Sequence, residues 1–278
     1  MWGGYISAIL LATCALAHSA AAQQTAALPK VADLGTVKLV TGPDYPPFTA
    51  EDLPNGGVLS ELTIAAFRAA GITVTFEIQP WRRGFEALRA GQFDATFPYI
   101  STRDRRTEML FSEPLLNVDV SVFTRPAAKL EFRGPEDLAR MTLCVPIGYA
   151  LSPRVGLLAR SDLLRLHDNH SPRGCIRQVE LGRVDAVILP RLQAQFLLQN
   201  EADTPTTLVE AAVPVERRWH FLIAPKSNPR AVAVVEAFNQ GREILRANGQ
   251  WDRIVVRHLG IAAMNWTRLY QDQIADED

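Results

Sequence analysis

Two segments share one pattern: FEALRAGQFDATFP (85–98) and IRQVELGRVDAVILP (176–190). Each reads as an amphipathic helix, a Gly, a polar residue, an apolar residue, Asp-Ala, a strand and a Pro. The glycines at 91 and 182 stop the helices, because the left-handed backbone that ends a helix suits a residue without Cβ. A helix striped on one side and an apolar strand bury those faces best in a sheet covered by helices. One such unit in each half of the chain predicts two lobes of similar plan.

The flanking segments fit this frame. TVKLVTG (36–42) alternates as a strand and ends in a Pro-rich turn. LSELTIAAFRAAG (59–71) has helical spacing and a Gly stop, and ITVTFEIQP (72–80) is β-branched and alternating. WRRGFEALRAG and FDATFPYI add a helix and a strand, so the order predicts a mainly parallel sheet. The order restarts at MTLCVPIG (141–148). VDVSVFTRPAAK (118–129) and RWHFLIAPKSN (218–228) read as extended crossings between the lobes, hence a hinge. Residues 228–260 read as a long helix, a Gly break and a shorter helix that returns to the first lobe.

Of the 278 residues, 47% are hydrophobic and 21% charged, and the net charge is −1. That is globular composition, and a near-neutral balance speaks against a general nucleic-acid binder. YISAILLATCALA (5–17) is apolar and is followed by small residues, which predicts a secretory signal peptide over 1–22, cleaved after Ala22. Its n-region departs from the pattern in having no Lys or Arg. Cleavage removes Cys14 and leaves Cys144 and Cys175. Export permits a disulfide between them, and without Cys-x-x-Cys spacing it is a structural clip.

In order and spacing, these pieces resemble the type 3 extracellular solute-binding proteins, periplasmic receptors of amino-acid ABC transporters. The resemblance covers about 36–259. It is carried by DYPPF (44–48), Gly57 before LSELTIAAF, Trp81, LRAGQFDA, TRDRRTEMLFSEP (102–114), PEDLARMTLCVPIGY (135–149), LGRVDA and FNQGREILRANGQWDRI. It implies a two-lobed, type II periplasmic-binding-protein-like α/β fold. Each lobe is a mainly parallel sheet flanked by helices, and two strands form the hinge. The expected bounds are 36–123 plus 222–265 for lobe 1, 124–221 for lobe 2, and a tail over 266–278. It also implies a small-molecule ligand bearing a carboxylate, closure of the lobes over it, a membrane permease as partner, a monomer, no cofactor and no enzymatic activity.

The candidate ligand contacts begin with Arg105. Thr102 is an N-cap candidate before a short helix, and the family's carboxylate-binding Arg stands three residues after a Thr and six before Phe-Ser. Here those are Thr102, Arg105 and Phe111-Ser112. A guanidinium can take a carboxylate in two parallel hydrogen bonds. Arg103 and Arg106 lack that match and read as a solvated face. Tyr45, held by Pro46 and Pro47, supplies an aromatic wall by the resemblance; Phe48 reads as core. Tyr99 ends a strand where side chains face the crevice, and Ser101 offers a backbone or hydroxyl contact. Trp81 stands either at the cleft mouth or in the core. Gly148 and Tyr149 match the second-lobe loop that completes the carboxylate site.

One departure concerns the other end of the ligand. Many amino-acid binders of the family place an Asp five residues after the Asp of the second Asp-Ala strand, where it pairs with the ammonium. From Asp185 that position is Pro190. The ammonium partner is missing or comes from elsewhere, with Glu210 and Glu216 as candidates. Two other readings share the fold: a cyclohexadienyl-dehydratase-like enzyme, which needs an acid in the cleft that the sequence alone does not place there, and an accessory or sensor protein such as a partner of a periplasmic dehydrogenase. His167 and His170, in HDNH, read as a polar surface turn instead of metal ligands. There is no G-x-S-x-G, phosphate-loop or dinucleotide motif.

Overall fold

The computed structural model describes residues 34–200 and 208–260. The signal-peptide segment 1–22, Cys14 and the tail 266–278 lie outside the described residues. The first half runs β1 (Thr36–Thr41), α1 (Val58–Ala69), β2 (Thr73–Ile78), α2 (Trp81–Arg89), β3 (Ala95–Ile100), α3 (Arg103–Glu108), β4 (Met109–Phe111) and β5 (Leu116–Thr124). The second runs β6 (Thr142–Pro146), α4 (Pro153–Arg160), β7 (Arg165–Asn169), α5 (Pro172–Glu180), β8 (Ala186–Pro190), α6 (Arg191–Gln199) and β9 (Val209–Glu210). Then β10 (Glu216–Pro225) leads to α7 (Ala231–Ala247) and α8 (Gln250–Leu259).

The main strands are hydrogen-bonded in the order β2-β1-β3-β10-β5-β8-β6-β7. Both ends of this order are parallel, and the middle is antiparallel. The two lobes meet there, on two long strands. β10 pairs with β5 over 216–220 and with β3 and β4 over 220–225, so one strand belongs to both lobes. This is the two-strand hinge that the extended crossings predicted.

Each lobe buries apolar side chains on both faces of its sheet, as strand alternation requires. In lobe 1, Val37 and Leu39 face the core under α1, α7 and α8, whereas Val40 faces Ala87 and Leu88 of α2. In lobe 2, Cys144, Val187 and Leu189 face α5 and α6, whereas Leu143 and Ala186 face Val155 of α4. The returning helices α7 and α8 pack on α1, bringing Phe238, Trp251 and Val255 into the first core.

The repeated segments are structurally equivalent. Gly91 and Gly182 have φ of +76° and +69°. Asp94 accepts the Lys38 N–H at 2.9 Å and donates its own N–H to the Lys38 carbonyl at 2.8 Å. Asp185 does the same with Thr142, at 2.7 and 2.9 Å. In both lobes the Asp of Asp-Ala ties its strand to the neighbouring parallel strand.

Cys144 and Cys175 form a disulfide, joining β6 to α5 inside lobe 2. The HDNH segment differs from expectation. His167, Asp168 and Asn169 belong to the edge strand β7, whose residues are largely exposed. Its polarity is what keeps a sheet edge from pairing with other chains. Among the described residues no helix is long and apolar enough to cross a membrane, and no cluster of metal-ligating residues occurs.

Candidate functional site

A cavity of about 660 Å³ opens between the lobes, a size suited to a small organic ligand. Arg105, Tyr45, Tyr99, Trp81, Gly148 and Tyr149 all line it, as does Pro190. Ser101 and Thr102 stand beside it, half-buried at the start of α3, and are not among its lining residues. Thr102 caps the helix as expected, its hydroxyl accepting the Arg105 N–H at 3.3 Å. That bond occupies one of the free N–H groups of this six-residue helix. The side chain of Arg105, more than the helix end, is therefore what faces the cavity.

The Arg105 guanidinium lies over the Tyr99 ring, 4.7 Å from its centroid, and donates to the Ile100 carbonyl at 3.1 Å. Among the described residues it has no carboxylate partner. Burial lowers its pKa, and so does the charge of Arg218, another cavity residue; Tyr99 partly offsets them. A half-buried guanidinium near a second one is costly without an anion of its own, and an anion beside Arg105 relieves both the burial and the repulsion. Arg103 and Arg106 are exposed, in keeping with a solvated face.

The aromatic residues form a connected wall. Tyr45 contacts Trp81 and Tyr149 edge to face, at 6.1 and 5.9 Å between centroids, and Trp81 contacts Tyr99 at 5.8 Å. Their polar atoms are spent within the protein. The Tyr45 hydroxyl is 2.8 Å from His220 Nε2, Gln193 donates to the Tyr149 hydroxyl at 2.8 Å, and Trp81 donates to the Pro43 carbonyl at 3.0 Å. Burial pushes the Tyr45 and Tyr149 hydroxyls up, and Tyr99 up to about 12, so these rings stay neutral. The wall therefore presents ring surface, which suits an apolar ligand body. Trp81 reaches its place because residue 42 is Gly: a Cβ there would stand 2.1 Å from the indole.

The hinge strand contributes a row that the sequence reading did not assemble. Glu216, Arg218 and His220 occupy alternate positions of β10 and all line the cavity. The signal was weak, because Arg217 interrupts the alternation and three charged residues run together at the start of the strand. The Arg218 guanidinium forms an ion pair with Glu216 and donates to the Ala150 carbonyl at 2.7 Å. Burial raises the Glu216 carboxyl and Arg218 opposes that rise. His220 is buried and pushed down to about 3, first by burial and then by Arg218, so it is neutral. Glu210, the other candidate ammonium partner, is instead engaged by Arg191 and does not line the cavity.

In lobe 2 the loop after β6 brings up Gly148, at φ +89°, and Tyr149. The Tyr149 N–H already donates to the Pro146 carbonyl, and that of Ile147 to the Asn169 carbonyl. Gln193 of α6 crosses to lobe 1, donating to the Asp44 carbonyl at 3.2 Å.

Residues 37–261 match the bacterial extracellular solute-binding proteins, family 3. The chain belongs to that family. A relative from Vibrio harveyi, named as the amino-acid ABC transporter-binding protein PatH, is 27% identical over 184 residues, covering 63% of this chain and 68% of that protein. Among solved structures, a histidine kinase sensor domain with similarity to periplasmic binding proteins superposes with a TM-score of 0.70 at 24% identity, over 81% of this chain and 96% of that one. An ancestral arginine-binding protein bound to arginine gives 0.70 at 20% identity, over 81% and 99%. These structural likenesses concern the fold. Placing this chain among family 3 solute-binding proteins accounts for a cavity between hinged lobes.

Proposed function

We propose that this family 3 protein is a periplasmic receptor that holds a small carboxylate-bearing solute, an amino acid or related organic acid, and delivers it to an ABC-type permease. The observation that carries the reading is Arg105: a half-buried guanidinium in the interlobe cavity, over Tyr99, with no carboxylate partner among the described residues. The relative's printed role in amino-acid transport supports the permease. In this reading the chain is exported by way of the segment 1–22 and acts as a monomer without catalysis. Its lobes, over 36–123 plus 222–265 and over 124–221, close on the ligand through contacts made only in the closed state. Gly148 and Tyr149 add the second-lobe side of the site, and Ser101 and Thr102 support the turn that carries Arg105.

A thermal-shift screen of amino acids and small organic acids tests this, since a ligand bound only by the folded state raises Tm. At least one carboxylate should raise it. Arg105→Ala should weaken that ligand by about 100-fold, the effect of losing a buried charge-assisted pair. Full affinity in Arg105→Ala would refute the assignment.

A further inference from the structure

The charges of the cavity restrict the ligand further. Its lining holds five side chains that carry charge: Asp44, Arg82, Arg105, Glu216 and Arg218. Asp44 and Arg82 are exposed, and Arg82 is paired with Glu86 along its own helix. The interior is left with two cations and one anion. Glu216 already belongs to Arg218, in a pair whose side chains are 21% and 15% exposed. Arg105 is the surplus charge, so the cavity is complementary to one negative charge.

A zwitterionic amino acid brings that charge and an ammonium as well. Drawing Glu216 away to meet the ammonium would strand Arg218 in a partly buried position, and a half-broken buried pair is unfavourable. The aromatic wall is a poor substitute. The Tyr99 face is already covered by Arg105, and the other rings pack against one another edge to face. Most of the remaining lining is apolar, including Phe85, Val118, Val120, Val145, Ile188 and Val215; Ser152, His170 and His220 are its other polar members, and His170 therefore faces the cavity where the sequence suggested a surface turn.

We infer that the preferred solute is an apolar monocarboxylate without an α-ammonium group. This inference rests on the carboxylate reading above, and the experiment separates the two. Two pairs of probes differ only in the ammonium: 3-phenylpropanoate against L-phenylalanine, and 4-methylpentanoate against L-leucine. Isothermal titration of the mature protein should show the ammonium-free acid binding at least about tenfold more tightly in one pair or both. Arg105→Ala should abolish that binding. If the amino acid binds equally or more tightly in both pairs, the inference falls, and loss of that binding in Glu216→Gln would name Glu216 as the ammonium partner. If none of the four binds but a polar carboxylate does, in an Arg105-dependent way, the inference falls and the carboxylate reading stands. If no carboxylate binds at all, both fall.

Discussion

The two lobes repeat one strand–helix template and finish it differently. In lobe 1 the Asp of the repeat reaches beyond its strand. Asp94 takes the Arg230 guanidinium at 3.1 and 3.2 Å and Asn228 at 3.3 Å, both from the segment that leads into α7. In lobe 2 Asp185 ties only its own neighbouring strand, and a disulfide between Cys144 and Cys175 supplies the added constraint. Lobe 1 is built from two distant stretches of chain and needs side chains to hold the returning one. Lobe 2 is built mostly from one stretch, ends at the exposed edge strand β7, and is clipped covalently. The segments that follow the two repeats differ as well. The strand of the first repeat leads to Arg105, which lines the cavity, and that of the second leads to the uncharged Pro190, which lines it, and to Arg191, which is engaged by Asp119 and Glu210 away from it.

The largest effect should come from the clip. A link across 31 residues of sequence removes loop entropy from the unfolded chain worth about 3–4 kcal/mol. The double substitution Cys144→Ala/Cys175→Ala should lower unfolding stability by about that much in denaturant titration. A loss near zero would show that lobe 2 is held by its packing alone, and the contrast with lobe 1 would disappear.

The paired aspartates test the contrast directly. Asp94 is buried and serves three partners, so Asp94→Ala leaves the Lys38 N–H unpaired and frees Arg230 and Asn228 from it, and should cost about 2 kcal/mol. Asp185→Ala removes one charge-assisted bond to Thr142 and should cost about 1 kcal/mol. Equal costs in thermal unfolding would mean that the tie to the returning segment adds nothing.

Much of this plan was legible in the sequence because it is written in local patterns. The two glycines, the Asp-Ala strands and the amphipathic helices α1, α2, α5, α7 and α8 each announce themselves within a dozen residues. β7 did not, because RLHDN at an edge is wet on both faces and shows no alternation. α6 was not read either; it starts directly after Pro190, with no polar cap to announce it. The site was half legible. Arg105 had a local context, from the Thr102 cap to Phe111-Ser112. Arg218 lies more than a hundred residues away on a strand read only as a crossing, and no short-range signal joins it to Arg105. The sheet joins them, since β10 runs between β3 and β5. The engagement of Glu216 by Arg218, two residues on along the same strand, went unread because that strand reads in sequence only as a crossing.

A further expected effect lies where the lobes meet, and it vanishes at neutral pH. His220 is on the shared strand, buried, with Tyr45 at 2.8 Å and Arg218 two residues before it. Arg218 and Glu216 face the same cavity on β10, the Tyr45 hydroxyl faces it from lobe 1, and Tyr149 and Gln193 lie beyond from lobe 2. Its pKa is pushed down to about 3 from an ordinary 6.5, so the folded state refuses a proton that the unfolded state accepts. Unfolded chains then bind more protons between those values, and stability falls as pH falls, by up to about 1.4 kcal/mol per unit. At pH 5 the loss relative to neutral pH should be about 2 kcal/mol from this group. His220→Gln, which keeps a partner for the Tyr45 hydroxyl but cannot titrate, should remove that part of the slope while stability at pH 7.5 changes less. An unchanged slope would place the acid sensitivity in the lobes and not at the strand that joins them.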